Sequence, residues 1–145
     1  MEQHLTELFE RDLLKLKDEI RNFKDEENIW HKPEGVSNSA GTLVLHLVGS
    51  ISYNIGTLIG NTGYVRDRVQ EFALSDVPRD KLIVAIETVI DMLKTVLPKL
   101  DEQQLKALYP LEIIGQRSIA FYLTYFYGHL NYHLGQVNYL RRILE

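Results

Sequence analysis

Four segments of this chain carry apolar residues every three or four positions, and each proline lies at or beyond the end of one of them. This spacing lines up one face of an α-helix. We predict long helices over about residues 5–23, 40–59, 79–97 and 118–144. Asn38 or Ser39 is expected to cap the second helix and Ser118 the fourth, because short side-chain oxygens accept the free N–H groups of a first turn.

The segments between these helices are predicted to be connections. Residues 64–72 are of mixed character and indicate an extended surface crossing. Residues 101–117 indicate a long connection with one short helical turn or a strand pair. Four long helices in 145 residues, joined by two long connections, predict an all-α fold in which residues 1–145 form a single four-helix-bundle domain.

Composition and charge narrow the possible functions. Sixteen Lys plus Arg against twenty Asp plus Glu give a net charge of −4, so we expect no nucleic acid or anionic membrane as a partner. No stretch reaches the roughly 18 apolar residues of a membrane span, and residues 1–20 lack the apolar core of a signal peptide, so a cytoplasmic location is expected. The chain has no cysteine, so any thiol chemistry requires a small external thiol.

Three of the five histidines lie on the predicted apolar stripes. His129 and His133 are four residues apart on one face of the last helix, and His46 lies on the stripe of the second. If these helices are neighbours, the three rings can bind one metal ion and leave a position open for water or substrate. Zn, Ni, Fe(II) and Cu all accept imidazole. The alternative for each ring is a core histidine bonded to a nearby carbonyl or hydroxyl, and His4 and His31 are expected on the surface.

Other catalytic layouts are excluded by their missing motifs. A carboxylate-bridged di-iron bundle needs Glu-x-x-His pairs on two helices, and the chain has none. A phosphate-binding loop, a G-x-S-x-G elbow and an H-E-x-x-H pair are also missing from the sequence.

Three further polar residues are candidates for supporting roles. Gln136 lies three residues after His133, so it is expected either to hydrogen-bond a metal-ligating ring or to remain a surface amide. Arg66 and Glu71 are expected to pair and hold the crossing segment, although Arg66 has the alternative of reaching an anionic substrate. Four tyrosines close to the last two histidines are expected to be mostly core or rim aromatics, with the alternative that one phenol near the metal donates a proton; they are Tyr122, Tyr125, Tyr127 and Tyr132.

A set of short motifs resembles one known group of proteins. They are Asn38-Ser39 before a helix that carries His46, Arg66 with Glu71-Phe72, Gly128-His129, and the run Tyr-His-Leu-Gly-Gln at 132–136. In these motifs the chain resembles the DinB/YfiT-like superfamily over most of its length. The resemblance implies a four-helix bundle with a long crossover and a site in which His46, His129 and His133 bind a divalent Zn, Ni or Fe ion.

The same resemblance implies a reaction class. Members of the superfamily with known activity are transferases and isomerases that use bacillithiol, mycothiol or glutathione. The chain is therefore expected to be a metal-dependent thiol S-transferase or hydrolase, which activates a low-molecular-weight thiol or water for a small electrophilic substrate. The residues do not identify a catalytic side chain. The alternative is a non-catalytic bundle that holds a metal or an apolar ligand as a sensor or carrier.

Four glycines inside predicted helices need an explanation, because each costs about 1 kcal/mol relative to alanine. Gly49 and Gly56 are seven residues apart on the second helix, as are Gly128 and Gly135 on the fourth. Close helix approach, within the chain or across a dimer, is one reason, and room for a ligand beside the metal is another. Members of the resembled superfamily commonly form homodimers, so we expect a homodimer built on these two helices.

Overall fold

The computed structural model describes residues 2–145, and within that range the chain forms six α-helices and no β-strand. They are α1 (Glu2–Asn22), α2 (Ala40–Ile51), α3 (Arg68–Ala73), α4 (Arg79–Val96), α5 (Glu102–Lys106) and α6 (Ile119–Leu144). The predicted all-α class is confirmed. None of these helices is both long and apolar enough to cross a membrane.

The long helices begin where short polar side chains can cap them. The Ser39 hydroxyl accepts the backbone N–H of Thr42 at the start of α2, and the Ser118 hydroxyl accepts that of Phe121 at the start of α6. Both serines were predicted caps. Pro78, which has no N–H group to leave unsatisfied, directly precedes α4.

The second helix changes its winding halfway along. After Ile51 the chain continues as a π-helical segment over Ser52–Thr57. In this segment Leu58 N–H bonds to Tyr53 O, five residues back instead of four. The predicted helix over residues 40–59 is therefore present, but only its first part has α-helical geometry.

The sequence pattern predicted the second of the two long connections better than the first. The expectation of an extended crossing over residues 64–72 is wrong in its second half, because the chain forms α3 there. The Asp67 carboxylate accepts the N–H of Gln70 and so starts a helix too short to show a periodic pattern. In the longer connection the short helical turn occurs as α5. The alternative of a strand pair does not, since the described residues form only an isolated bridge between Leu108 and Ser118 there.

The four long helices enclose one apolar core. α1 packs against α4 and α6, and α2 packs against the same two helices. The largest fully buried side chains come from all four and include Phe9, Leu47, Leu82 and Tyr122. Every residue of α2 is buried or half-buried, since α3 covers the side that the long helices leave open. This arrangement makes α2 and α6 neighbours, as the histidine prediction requires.

The glycines of α2 and α6 have different surroundings. A Cβ atom at Gly49 would overlap the carboxylate of Glu71, and one at Gly56 would touch a threonine and a methionine side chain. A Cβ atom at Gly128 or Gly135 would meet nothing within 4 Å. The glycines of α2 therefore permit close contacts within the chain, whereas those of α6 face open space.

Candidate metal centre

His46, His129 and His133 bring their Nε2 atoms together where α2 meets α6. His129 Nε2 lies 3.2 Å from His46 Nε2 and 3.0 Å from His133 Nε2. One ligand atom from each of the three rings lies within 4.8 Å of the others. Donor nitrogens around a tetrahedral ion with bonds of about 2.0–2.1 Å are about 3.3 Å apart. The three side chains could therefore hold a single metal ion.

The environment of His46 and His129 favours the neutral form of their rings. His46 is buried, with 9% of its surface exposed, and the other two are half-buried. Burial lowers the pKa of His46, although its hydrogen bond with Glu71 acts in the opposite direction. Burial and the charges that His133 and His46 would carry lower the pKa of His129 to about 4. Neutral imidazole is the form that binds metal ions, so His46 and His129 are ready to do so at neutral pH.

Hydrogen bonds on the far side of two rings orient the donor atoms. Glu71 Oε1 lies 3.1 Å from His46 Nδ1, and Gln136 Oε1 lies 2.7 Å from His133 Nδ1. A carboxylate or amide oxygen only accepts, so each of these Nδ1 atoms carries a proton, and the Nε2 atom of the same ring is the one available to bind a metal ion. A proton on His129 Nε2 can form a good hydrogen bond to Nε2 of either His46 or His133, but not to both. A divalent cation among the three nitrogens would satisfy them all, so the donor set fits a metal.

The Glu71 carboxylate is the residue that links the crossing segment to the site. Arg66 donates to both of its oxygens, from Nε to Oε2 at 2.8 Å and from Nη2 to Oε1 at 2.9 Å. Glu71 is buried, and this paired guanidinium offsets the cost of burying its charge. The predicted pairing of Arg66 with Glu71 is confirmed, so Arg66 donates to Glu71 and orients the carboxylate that holds His46.

The contact between Glu71 and His46 was missed by reasoning from the sequence. Its only signal is Gly49, which lies three residues after His46 and therefore on the same side of α2. The missing side chain at position 49 leaves the space that the carboxylate occupies. At this position the glycine makes room for a second group packed against the candidate ligand.

Two aromatic rings border the three histidines. The Phe72 ring lies 5.0 Å from His46 and the Tyr132 ring lies 5.2 Å from His133, measured between ring centroids. Both are partly exposed, so the trio lies close to the surface rather than at the centre of the core. His4 and His31 are exposed, as expected.

Fold and site together define an all-helical protein with a three-histidine cluster between two of its long helices. A family model described as a protein of unknown function (DUF1572) matches residues 3–145, and the chain belongs to that family. No curated protein matches the chain.

Proposed function

We propose that this chain is a metal-binding protein of the DinB/YfiT-like type, with residues 1–145 forming one four-helix-bundle domain. His46, His129 and His133 are the metal ligands. The observation that carries this assignment is the convergence of three Nε2 atoms, two of which belong to rings whose Nδ1 atoms face fixed acceptors. Hydrogen bonds of this kind orient metal-ligating histidines in other proteins.

The proposed activity is transfer of a low-molecular-weight thiol, or of water, to a small electrophilic molecule. A bound Zn, Ni or Fe ion lowers the pKa of a thiol or water beside it and so supplies a nucleophile at neutral pH. The chain's own residues prepare the site for this chemistry. Glu71 holds His46 in the tautomer that presents Nε2, Gln136 does the same for His133, and Arg66 fixes the Glu71 carboxylate.

One observation favours a second function, that of a non-catalytic metal or ligand carrier. Both Glu71 oxygens are engaged by Arg66, and one of them also by His46. This carboxylate is therefore not free to act as a general base. Catalysis at the site would depend on the metal to activate the nucleophile, whereas a carrier needs no base at all.

A second copy of the chain is the proposed protein partner. The exposed side of α6 carries large apolar residues and glycines at alternating spacings of three and four, namely Phe121, Tyr125, Gly128, Tyr132, Gly135 and Tyr139. This spacing is typical of a helix that packs along another helix. Because α2 exposes little surface, α6 would provide most of the interface.

Elemental analysis of the purified protein tests the metal assignment. Wild type is expected to contain about one equivalent of a divalent metal, and His46→Ala, His129→Ala and His133→Ala are each expected to lose most of it, because two ligands bind too weakly. His31→Ala, which changes an exposed histidine, is the matched control. Full metal content in all three site variants would disprove the assignment.

A thiol screen separates the enzyme from the carrier. Metal-loaded protein is mixed with bacillithiol, mycothiol or glutathione and with chlorodinitrobenzene, whose chloride is displaced by the thiol sulfur. An enzyme gives a rate above the uncatalysed reaction that disappears in His129→Ala. A carrier binds metal equally well and gives no rate with any thiol.

A further inference from the structure

A cleft of about 500 Å³ opens beside His133. One wall is the segment 35–38 with Leu43 of α2, and the other is the C-terminal half of α6. His133 and Gln136 line this cleft, and His133 is also one of the three clustered histidines. The cleft therefore adjoins the candidate metal centre at His133. Its volume is in the range that holds a small organic molecule.

The lining of the cleft is uncharged. Of the described residues that form its walls, none is an acid, a lysine or an arginine. A charged ligand would lose its hydration here without gaining an ionic partner from the walls, which is unfavourable. An uncharged ligand incurs no such cost.

The outer wall of the cleft presents apolar side chains to solvent. Tyr132 and Tyr139 are two turns apart on α6, and Ile143 is one turn further on. They are 66%, 63% and 66% exposed in the single chain. Large exposed apolar side chains around a concave surface are typical of ligand-binding grooves. Tyrosine rings in particular pack against flat apolar molecules and keep the hydroxyl in water.

A polar side chain lines the cleft next to His133, that of Gln136. The side-chain oxygen of Gln136 is bonded to His133, which leaves the NH₂ group of the same amide. That group makes no hydrogen bond with any residue between positions 2 and 145, so it can donate to a ligand oxygen. Ser37 and Asn38 supply further polar atoms on the opposite wall.

We propose that this cleft binds an uncharged small molecule that has an aromatic or aliphatic body and an acceptor oxygen. The oxygen lies towards Gln136 and His133, and the body packs against the tyrosines and Ile143. Tyr132 and Tyr139 also belong to the α6 face proposed to contact a second copy of the chain, so the ligand would lie at the edge of that interface. This inference rests on the proposed function, because it assigns the small-molecule partner of the metal centre to this cleft.

Fluorescence titration with prodan, an uncharged naphthalene ketone, tests the proposal. Saturable binding with one probe per chain is expected. In chelator-treated protein, where no metal cation can pair with its sulfonate, anilinonaphthalene sulfonate is expected to bind at least about tenfold more weakly than prodan. It is of similar size but anionic, and its charge has no partner in the walls. Equal affinity for the two probes would overturn the assignment of an uncharged ligand.

Variants on both walls locate the bound probe. Ile143→Glu and Ser37→Glu, which add a charge to opposite walls, are each expected to weaken prodan binding by about tenfold or more. Val84→Glu is the control, because Val84 lies on α4 and at 60% is about as exposed as Ile143. Unchanged binding in both wall variants would overturn the proposal. So would loss in Ile143→Glu alone together with dissociation of a dimer, since that result identifies an interface.

Loading the protein with Co²⁺ tests whether the cleft adjoins the metal. The proton resonances of bound prodan are expected to broaden in the Co²⁺ protein and not in the Zn²⁺ protein, because only Co²⁺ is paramagnetic. Saturable binding without this broadening would separate the cleft from the metal centre and overturn the inference. If the chain binds no metal, the titrations still test the cleft, so failure of the proposed function is distinguishable from failure of this inference.

Discussion

Replacing Gly49 by alanine tests whether the Glu71 carboxylate supports the metal centre. The added methyl group would overlap that carboxylate, which would have to move away from His46 and Arg66. Losing a hydrogen-bonding partner of a metal-ligating histidine typically lowers metal affinity by about 10–100-fold. We therefore expect Gly49→Ala to bind metal about 10–100-fold more weakly than wild type, measured by competition with a chromogenic chelator.

The free energy of unfolding gives a second measure of the same clash. Overpacking a tight site costs about 1–3 kcal/mol, whereas alanine gains about 1 kcal/mol over glycine inside a helix. Gly128→Ala gains helix propensity without any overpacking, because its Cβ atom would meet nothing within 4 Å. We thus expect the free energy of unfolding, measured in urea, to be about 1–3 kcal/mol lower for Gly49→Ala than for Gly128→Ala.

A double-mutant cycle attributes both effects to Glu71. In a Glu71→Ala background the carboxylate is gone, so Gly49→Ala should no longer weaken metal binding or destabilise the fold. The reasoning is refuted if Gly49→Ala alone binds metal as wild type does and is stabilised as much as Gly128→Ala. It is equally refuted if Gly49→Ala weakens metal binding and destabilises the fold as much in the Glu71→Ala background as in the wild type.

Four further outcomes are expected. Chelating the metal should lower the melting temperature but leave the helical circular dichroism signal, because the apolar core does not depend on the metal; a coil spectrum would contradict this. Burial raises the pKa of Asp12, but hydrogen bonds from Arg11 and Tyr127 outweigh this and hold the pKa below its ordinary value. The ionised carboxylate therefore adds stability that is present above about pH 4 and lost as the pH falls through the folded-state pKa. Asp12→Asn should be less stable than wild type by about 1–2 kcal/mol at neutral pH. If this difference in the free energy of unfolding, measured in urea, does not shrink in acid, the result would argue against the role of the carboxylate. Gly135→Leu should shift sedimentation towards the monomer with its helicity retained, and an unchanged dimer would exclude this face. Ser39→Ala should cost about 1 kcal/mol through its lost cap, and no change in urea midpoint would show that the cap contributes nothing.

The long helices and the histidine cluster could be predicted because both follow from helical periodicity. The apolar stripes have the same period as the helix, so His129 and His133 were expected on one face, and α2 and α6 are neighbours as the prediction required. The caps at Ser39 and Ser118 followed from local chemistry. In each case the evidence lies within a few residues of the feature.

The parts that were missed depend on contacts between distant segments. Glu71 reaches His46 across 25 positions of the chain, and the six residues of α3 that carry it are too few to show a period. The cleft joins a loop before α2 to the end of α6, and neither segment alone indicates that it forms one wall of a cavity. Only packing in three dimensions brings these groups together.

The π-helical segment Ser52–Thr57 determines which way the residues after it face around the axis of the second helix. A widened turn takes up an additional residue, and one residue corresponds to about 100° of rotation in an α-helix. The part before the segment directs His46 towards α6, while the widened part packs against α4, and its freed Asn54 carbonyl accepts the hydroxyl of Tyr109. A chain one residue shorter within Ser52–Thr57 is expected to wind as a plain α-helix, which would rotate the residues after the deletion by about 100° relative to α4 and Tyr109.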